Sequence, residues 1–278
     1  MNTNENTAIY YPQDEMNTFL LPVTTGCSYN KCAFCSMYKD EEYKEMSLSE
    51  IKINLLSVDK YTERVFLTGA DPLAIGFDKM KKLLDLINQH LSYCACVASY
   101  ASIRNISRYT VEELAILHDA GLRLLYIGFE TGSDKILKLM KKSHNSEEAV
   151  KQAKKLNEAN IQFNTIIMYG IGGKGEYEEN AIATANMINQ FKTRKVITMN
   201  LIVFDETELM KMVKSGEFIP ASQKERLLEI RTLLQNIETV EDLVFDTTHP
   251  TNIIKIKGIL PGDKEKLLNQ VEQYIKNI

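Results

Sequence analysis

An α/β fold, and within it a partial (β/α)6 barrel of the TIM type with a C-terminal α/β extension, is what this sequence predicts. Three observations carry the prediction. Six short runs rich in β-branched or aliphatic residues alternate with segments of helical spacing. That alternation implies parallel strands, because each crossover helix returns the chain to the same end of the sheet. Six such units fall short of the eight that close a complete barrel.

The expected strands are Phe19–Thr24, Arg64–Thr68, Cys94–Ser99, Leu124–Phe129, Gln162–Met168 and Val196–Phe204. A capping box, Ser47-Leu-Ser-Glu50, opens the helix before the second strand. Phe77, Met80, Leu83, Leu84, Ile87 and Leu91 form one helical face after it. Thr110-Val-Glu-Glu113 is a second capping box, and Gly121 ends its helix just before the fourth strand. Ser146 is placed as the cap of a helix carrying Ala149, Val150, Ala153 and Leu156, which stops near Asn160.

Beyond Ala221 the pattern changes, so a core domain over residues 1–220 and an extension over 221–278 are expected. Ser222-Gln-Lys-Glu225 caps a helix bearing Leu227, Ile230, Leu234 and Ile237. A short β-like pair, Leu243–Phe245 with Ile253–Ile256, and a last helix near Lys264–Ile275 follow. The extension is read as packing on the barrel and closing part of its mouth.

Composition narrows the class. With 278 residues, 44% of them hydrophobic, the chain buries a substantial core. A formal charge of -4 argues against a nucleic-acid footprint over the whole surface, although a local basic patch stays open. No apolar run reaches transmembrane length, and the polar opening MNTNENTAIYYPQDE does not resemble a secretion signal. A reducing cytoplasm is the expected location. Five cysteines in two clusters do not make a secreted disulfide framework.

Cys27, Cys32 and Cys35 lie in TTGCSYNKCAFCSMY, directly after the first strand. This C-x4-C-x2-C triplet offers three soft thiolates and then stops. Three sulfurs suit a metal centre that keeps one coordination position for a ligand. The loop lies at the carboxyl end of the barrel, where parallel-strand folds place their chemistry. The same end carries Gly69-Ala70-Asp71-Pro72, Glu130 and the stretch from Gly170 to Glu176.

Together these features resemble the radical S-adenosylmethionine enzymes, from about residue 15 to residue 220. The resemblance implies that Cys27, Cys32 and Cys35 hold a 4Fe-4S cluster whose remaining iron chelates S-adenosylmethionine. Phe34 stands at the aromatic position beside the cofactor. Gly69, Ala70 and Asp71 match the segment that receives the methionine ammonium. Glu130, in IGFETG, matches the contact to the ribose hydroxyls. Ile171, Gly172 and Gly173 match the turn that receives adenine. Ser99 and Arg104 are further candidates for ribose and carboxylate contacts.

The family's commonest spacing is C-x3-C-x2-C, so this chain carries one extra residue between its first two cysteines. Its pattern looks closest to the branch of methylthiotransferases, elongator-type enzymes and nitrogenase-cofactor maturases. HPTNIIKIKGILPGDK resembles a group of stand-alone anaerobic members. The resemblance further implies a small or medium-sized organic substrate, and flavodoxin or ferredoxin as electron donor.

Other readings stand beside this one. A zinc site needs a fourth ligand, which His118 or His144 supplies only by folding back. A non-catalytic iron–sulfur or zinc protein, sensing redox state or binding a partner, is the functional alternative. Gly170-x-Gly172-x-x-Gly175 fits a dinucleotide fingerprint, but no acidic residue follows at the expected distance. Lys174 is followed by Gly175, which excludes a P-loop. Cys94 and Cys96 are expected to share one face of the third strand as small buried residues. Asp71 also suits a plain turn and Glu130 a helix start. Asn200, alternating with Met199, and His249 with Asn252 are candidate substrate contacts or simple structural pairs. Lys141 and Lys142 read as solvated surface.

Overall fold

The computed structural model describes residues 9–278; the start of the polar opening segment, 1–8, lies outside the described residues. Strand β1 (Phe19–Pro22) is followed by a two-residue ribbon, β2 (Thr24–Thr25) against β3 (Lys44–Glu45), which closes the base of the cysteine loop. Helix α1 (Leu48–Leu56) starts at a complete Ser47/Glu50 capping box, so the local signal alone fixes where it begins. Then come β4 (Arg64–Thr68), α2 (Phe77–His90), β5 (Cys96–Ala101), the short α3 (Ile103–Ile106) and α4 (Val111–Asp119). The chain continues through β6 (Leu122–Glu130), α5 (Asp134–Leu139), α6 (Ser146–Glu158), β7 (Gln162–Tyr169), α7 (Tyr177–Ile188) and β8 (Lys195–Asn200). Last are α8 (Glu208–Ser215), α9 (Gln223–Asn236), β9 (Leu243–Asp246), β10 (Lys257–Leu260) and α10 (Lys264–Lys276).

One eight-stranded sheet has the order β1-β4-β5-β6-β7-β8-β9-β10. It is parallel from β1 through β9, and only β10 runs antiparallel, against β9. The six strand–helix units therefore form the expected partial barrel, and the C-terminal pair continues the same sheet beyond β8. The β1 and β10 edges flank the open side.

Period-two alternation divides the apolar residues between two layers. Outward-facing Val65, Leu67, Val97, Leu125, Ile127, Phe163, Ile167 and Val196 pack under the helices with Met80, Leu83, Leu84 and Ile87 of α2. Each such fully buried aliphatic side chain contributes roughly 1.5–3 kcal/mol. Inward-facing Phe66, Ala98, Leu124 and Tyr126 fill the barrel interior, with Leu20, Tyr100, Ile166 and Ile197 around them. At the amino end of the strands, Glu15 is fully buried and plugs the barrel. It accepts from Arg64 Nε at 2.8 Å and Tyr126 Oη at 2.7 Å. Entry to the interior is thus left to the carboxyl end and the open side.

Several boundaries depart from the sequence reading. Val196–Phe204 stops as a strand at Asn200, and residues 201–204 run on as a loop. The final pair uses Lys257–Leu260 in place of Ile253–Ile256, whose Ile254 and Ile256 are buried from a loop and so carry the same apolar signal as a strand. Asn145 caps α6 by accepting from Glu148 N, and Ser146 is its first helical residue. Cys94 and Cys96 do not share a face. The strand begins at Cys96, which packs in the barrel interior, whereas Cys94 precedes it and packs against the outer layer. Among the described residues, no helix is long and apolar enough to cross a membrane.

Candidate metal centre and cofactor site

Cys27, Cys32 and Cys35 occupy one loop, each as a free and partly exposed thiol. Asn30 shapes that loop from a left-handed backbone (φ +48°). Its amide N donates to Cys27 Sγ at 3.4 Å and its side chain to the Tyr38 carbonyl at 2.8 Å. Ala33 ties the loop to its neighbours: its N–H donates to the Met140 carbonyl at 3.0 Å, and its carbonyl accepts from Leu209 N at 2.9 Å. Burial pushes the Cys32 and Cys35 thiols up, and the Lys142 charge opposes this at both. Among the described residues no three His, Cys, Asp or Glu side chains converge to hold a single ion. A cluster distributes its thiolates over different irons and does not require that convergence. His118 is engaged with Arg123 and Asp119, whereas His144 is buried with its Nε2 unpartnered; among the described residues neither joins these thiols in a group able to hold one ion.

Lys142 is the residue that sequence reasoning placed wrongly. Far from being solvated surface, its side chain is 13% exposed, and its Nζ donates to Glu130 Oε1 at 3.0 Å. Burial alone would lower the ammonium; Glu130 and Cys32 hold it above its ordinary value. Lys141 does keep the surface role, pairing with Glu208. Glu130 itself sits at φ +65°, after a register shift between Gly128 and Glu130 in the pairing of β6 with β7. A non-glycine residue there costs about 1–2 kcal/mol, the kind of strain that clusters at functional sites.

At the end of β4, Gly69 adopts φ +129°, and a Cβ built on it would lie 2.1 Å from Thr24 Oγ1. Only glycine lets β4 approach the Thr24 backbone so closely. Ala70 is partly exposed beside it. Asp71 is buried, and its Oδ2 accepts from Ser102 N at 3.1 Å, from Ser102 Oγ and from Asn105 Nδ2 at 2.6 Å. Burial pushes its carboxyl up to about 6 against those bonds. Asp71 Oδ1 and Thr24 Oγ1 are both buried without a partner. These two oxygens on adjoining loop ends leave room for a donor group between them.

The turn after β7 is braced by the loop between α8 and α9. Gly173 (φ +81°) lies so close to the Ile219 carbonyl that a Cβ would approach it to 2.7 Å. Lys174 N donates to the same carbonyl at 2.8 Å, and Ile171 is fully buried. Phe34 packs at the edge of a cluster formed by Ile171, Ile136, Met140, Leu201 and Leu209, which joins the cysteine loop to this turn and to α8.

The remaining candidates divide. Arg104 reaches the cysteine loop, with its guanidinium 5.6 Å from the Tyr29 ring centre and Nη1 donating to Ser28 O at 3.4 Å. Ser99 is fully buried on the outer face, donating to the Tyr100 carbonyl at 2.8 Å, and does not enter the barrel. Asn200 and His249 are brought together through Thr251, whose Oγ1 accepts from Asn200 N at 3.2 Å and lies 2.8 Å from His249 Nδ1. Asn200 Oδ1 accepts from Arg226 at 2.7 Å, and burial pushes the His249 imidazole down. Asn252 organises the turn, donating to the Thr198 and Thr247 carbonyls.

Three thiols without a fourth cysteine, a buried cation facing two of them, and two unpartnered oxygens nearby fit a cluster with a bound amino-acid-bearing ligand. Comparison with known proteins agrees in class. A family model described as the radical SAM superfamily matches residues 21–188. The heme chaperone HemW of Bacillus subtilis (strain 168) is 24% identical over 210 residues, covering 73% of this chain and 54% of that protein. The chain thus spans about half the length of the curated relatives it matches. Among solved structures, the Elp3 of Methanocaldococcus infernus superposes with a TM-score of 0.56 at 17% identity, covering 94% of this chain and 63% of that one. The methyltransferase TsrM of Kitasatospora setae gives 0.59 at 15%, covering 74% and 41%. These structural likenesses speak for the fold.

Proposed function

This chain belongs to the radical SAM superfamily, and on that premise we propose that it is an enzyme acting on a small or medium-sized organic substrate through a single 4Fe-4S cluster and S-adenosylmethionine. When bound, the cluster and S-adenosylmethionine would supply one-electron reductive cleavage to methionine and a 5′-deoxyadenosyl radical able to abstract hydrogen from substrate. Flavodoxin or ferredoxin is the class of donor proposed for that electron.

The chain's own groups have distinct tasks. Cys27, Cys32 and Cys35 hold the cluster, their protons displaced by iron. Gly69, Ala70 and the free Asp71 Oδ1 receive the methionine ammonium. The Lys142 ammonium, fixed by Glu130, supplies positive charge where the cofactor carboxylate lies. Glu130 and the backbone of Ile171, Gly172 and Gly173 orient the ribose and adenine. Inward-facing Leu20, Tyr100, Ile166 and Ile197 keep the interior apolar, and the Glu15 plug keeps water out from below.

The observation that carries this reading is the three-thiol loop facing Lys142 and Glu130. Anaerobic reconstitution followed by dithionite and S-adenosylmethionine tests it: 5′-deoxyadenosine is expected by chromatography, and a colourless protein retaining zinc and releasing none contradicts it. A second reading, non-catalytic handling of heme, is favoured by the likeness to HemW, a heme chaperone. It expects stoichiometric heme binding without 5′-deoxyadenosine.

A further inference from the structure

We propose that Glu229, on α9, is a positioning residue that fixes the loop carrying Glu130 and the Gly170–Gly173 turn at the spacing that receives the adenosine half of the cofactor. The inference rests on the radical SAM reading above and concerns a residue far from the cysteines in sequence.

Glu229 is 5% exposed and uses both carboxylate oxygens. Oε2 accepts from Gly170 N at 2.8 Å, at the start of the glycine turn. Oε1 accepts from Asn180 Nδ2 at 2.6 Å, on α7. Asn180 passes the constraint on, because its Oδ1 accepts from Thr131 Oγ1, and Thr131 Oγ1 in turn accepts from Ser133 N at 2.9 Å. Thr131 directly follows Glu130. One carboxylate therefore anchors the loop ends of β6 and β7 at once. Glu130, Asn180 and Glu229 also line a common cavity of about 10 Å³, room for about one water.

The arrangement needs an acceptor at both oxygens. A neutral carboxyl or amide offers one acceptor and turns a donor towards either Gly170 N–H or the Asn180 amide. Arg226 and Glu225 on α9, Tyr169 on β7, Asn180 on α7 and Glu130 on β6 surround the group, and burial pushes its carboxyl up to about 7. Only the ionised form keeps both loops tied, so ligand affinity follows the ionised fraction.

The test measures S-adenosylhomocysteine, which is not cleaved, binding to the reconstituted full chain by equilibrium dialysis at pH 6 and pH 8, with iron content and circular dichroism recorded in parallel. Wild type should bind about tenfold more weakly at pH 6, as the competent fraction falls. Glu229→Gln should bind weakly at both values with unchanged iron content. Equal binding by the variant and wild type overturns the inference. Should the variant not fold, Thr131→Val, which cuts the link to Asn180, decides: binding equal to wild type overturns the inference. Iron-loaded wild type that binds at neither pH overturns the cofactor reading and this inference with it.

Discussion

Lys142 Nζ and Glu130 Oε1 stand 3.0 Å apart in a pair whose side chains are 13% and 10% exposed, and the lysine charge is felt by Cys32 and Cys35. Removing one partner strands the other charge. Lys142→Met is therefore expected to cost about 3–5 kcal/mol of stability. Denaturant unfolding of the ligand-free chain measures this. The double variant with Glu130→Gln should recover part of the loss, because coupled buried charges are not additive. Additive losses would mean that the two do not interact.

Gly69→Ala probes the close approach of β4 to Thr24. The substituent would meet Thr24 Oγ1 at 2.1 Å from a backbone at φ +129°. Strain and overpacking together should cost about 2–4 kcal/mol. A melting curve indistinguishable from wild type would refute the packing argument.

Glu15 makes stability fall in acid. Burial raises its carboxyl, but hydrogen bonds from Arg64, Tyr126 and Thr18 outweigh that and hold it below its ordinary value of 4.5. A group lowered on folding contributes stability that is fully present above the unfolded value and lost as pH falls through the folded one. Urea midpoints should therefore drop as pH falls below about 4.5, and Glu15→Gln should flatten that limb. A variant with the same acid limb as wild type would locate the effect elsewhere.

Single replacement of Cys27, Cys32 or Cys35 by alanine should each abolish retention of about four irons per chain after anaerobic reconstitution. The same change at Cys94 or Cys96, which lie away from that loop, should leave iron content unaltered. Colorimetric iron analysis decides, and full loading in any of the first three would remove that residue from the ligand set.

Local signals were legible wherever the neighbouring sequence alone settles the structure. The capping boxes at Ser47/Glu50, Thr110/Glu113 and Ser222/Glu225 all form, and β4 runs from Arg64 to Thr68 as its apolar pattern indicates. Signals depending on distant partners were not legible. Lys142 reads as surface because Glu130 meets it only through the bulged end of β6. Nothing near Glu229 reports that its partner Gly170 lies 59 residues away in the chain. Ile254 and Ile256 mimic a strand because a core-facing loop needs the same residues. The cysteine triplet depends on no distant partner, since its three thiols lie on one contiguous loop.

Three thiolate ligands from Cys27, Cys32 and Cys35 would leave one iron open to S-adenosylmethionine. Electron paramagnetic resonance of the dithionite-reduced protein, before and after adding S-adenosylmethionine, tests it most directly. A cluster signal whose g values shift on addition is expected, because the ligand would enter the iron's coordination sphere. A spectrum unchanged by saturating S-adenosylmethionine, or no cluster signal after reconstitution, would contradict it.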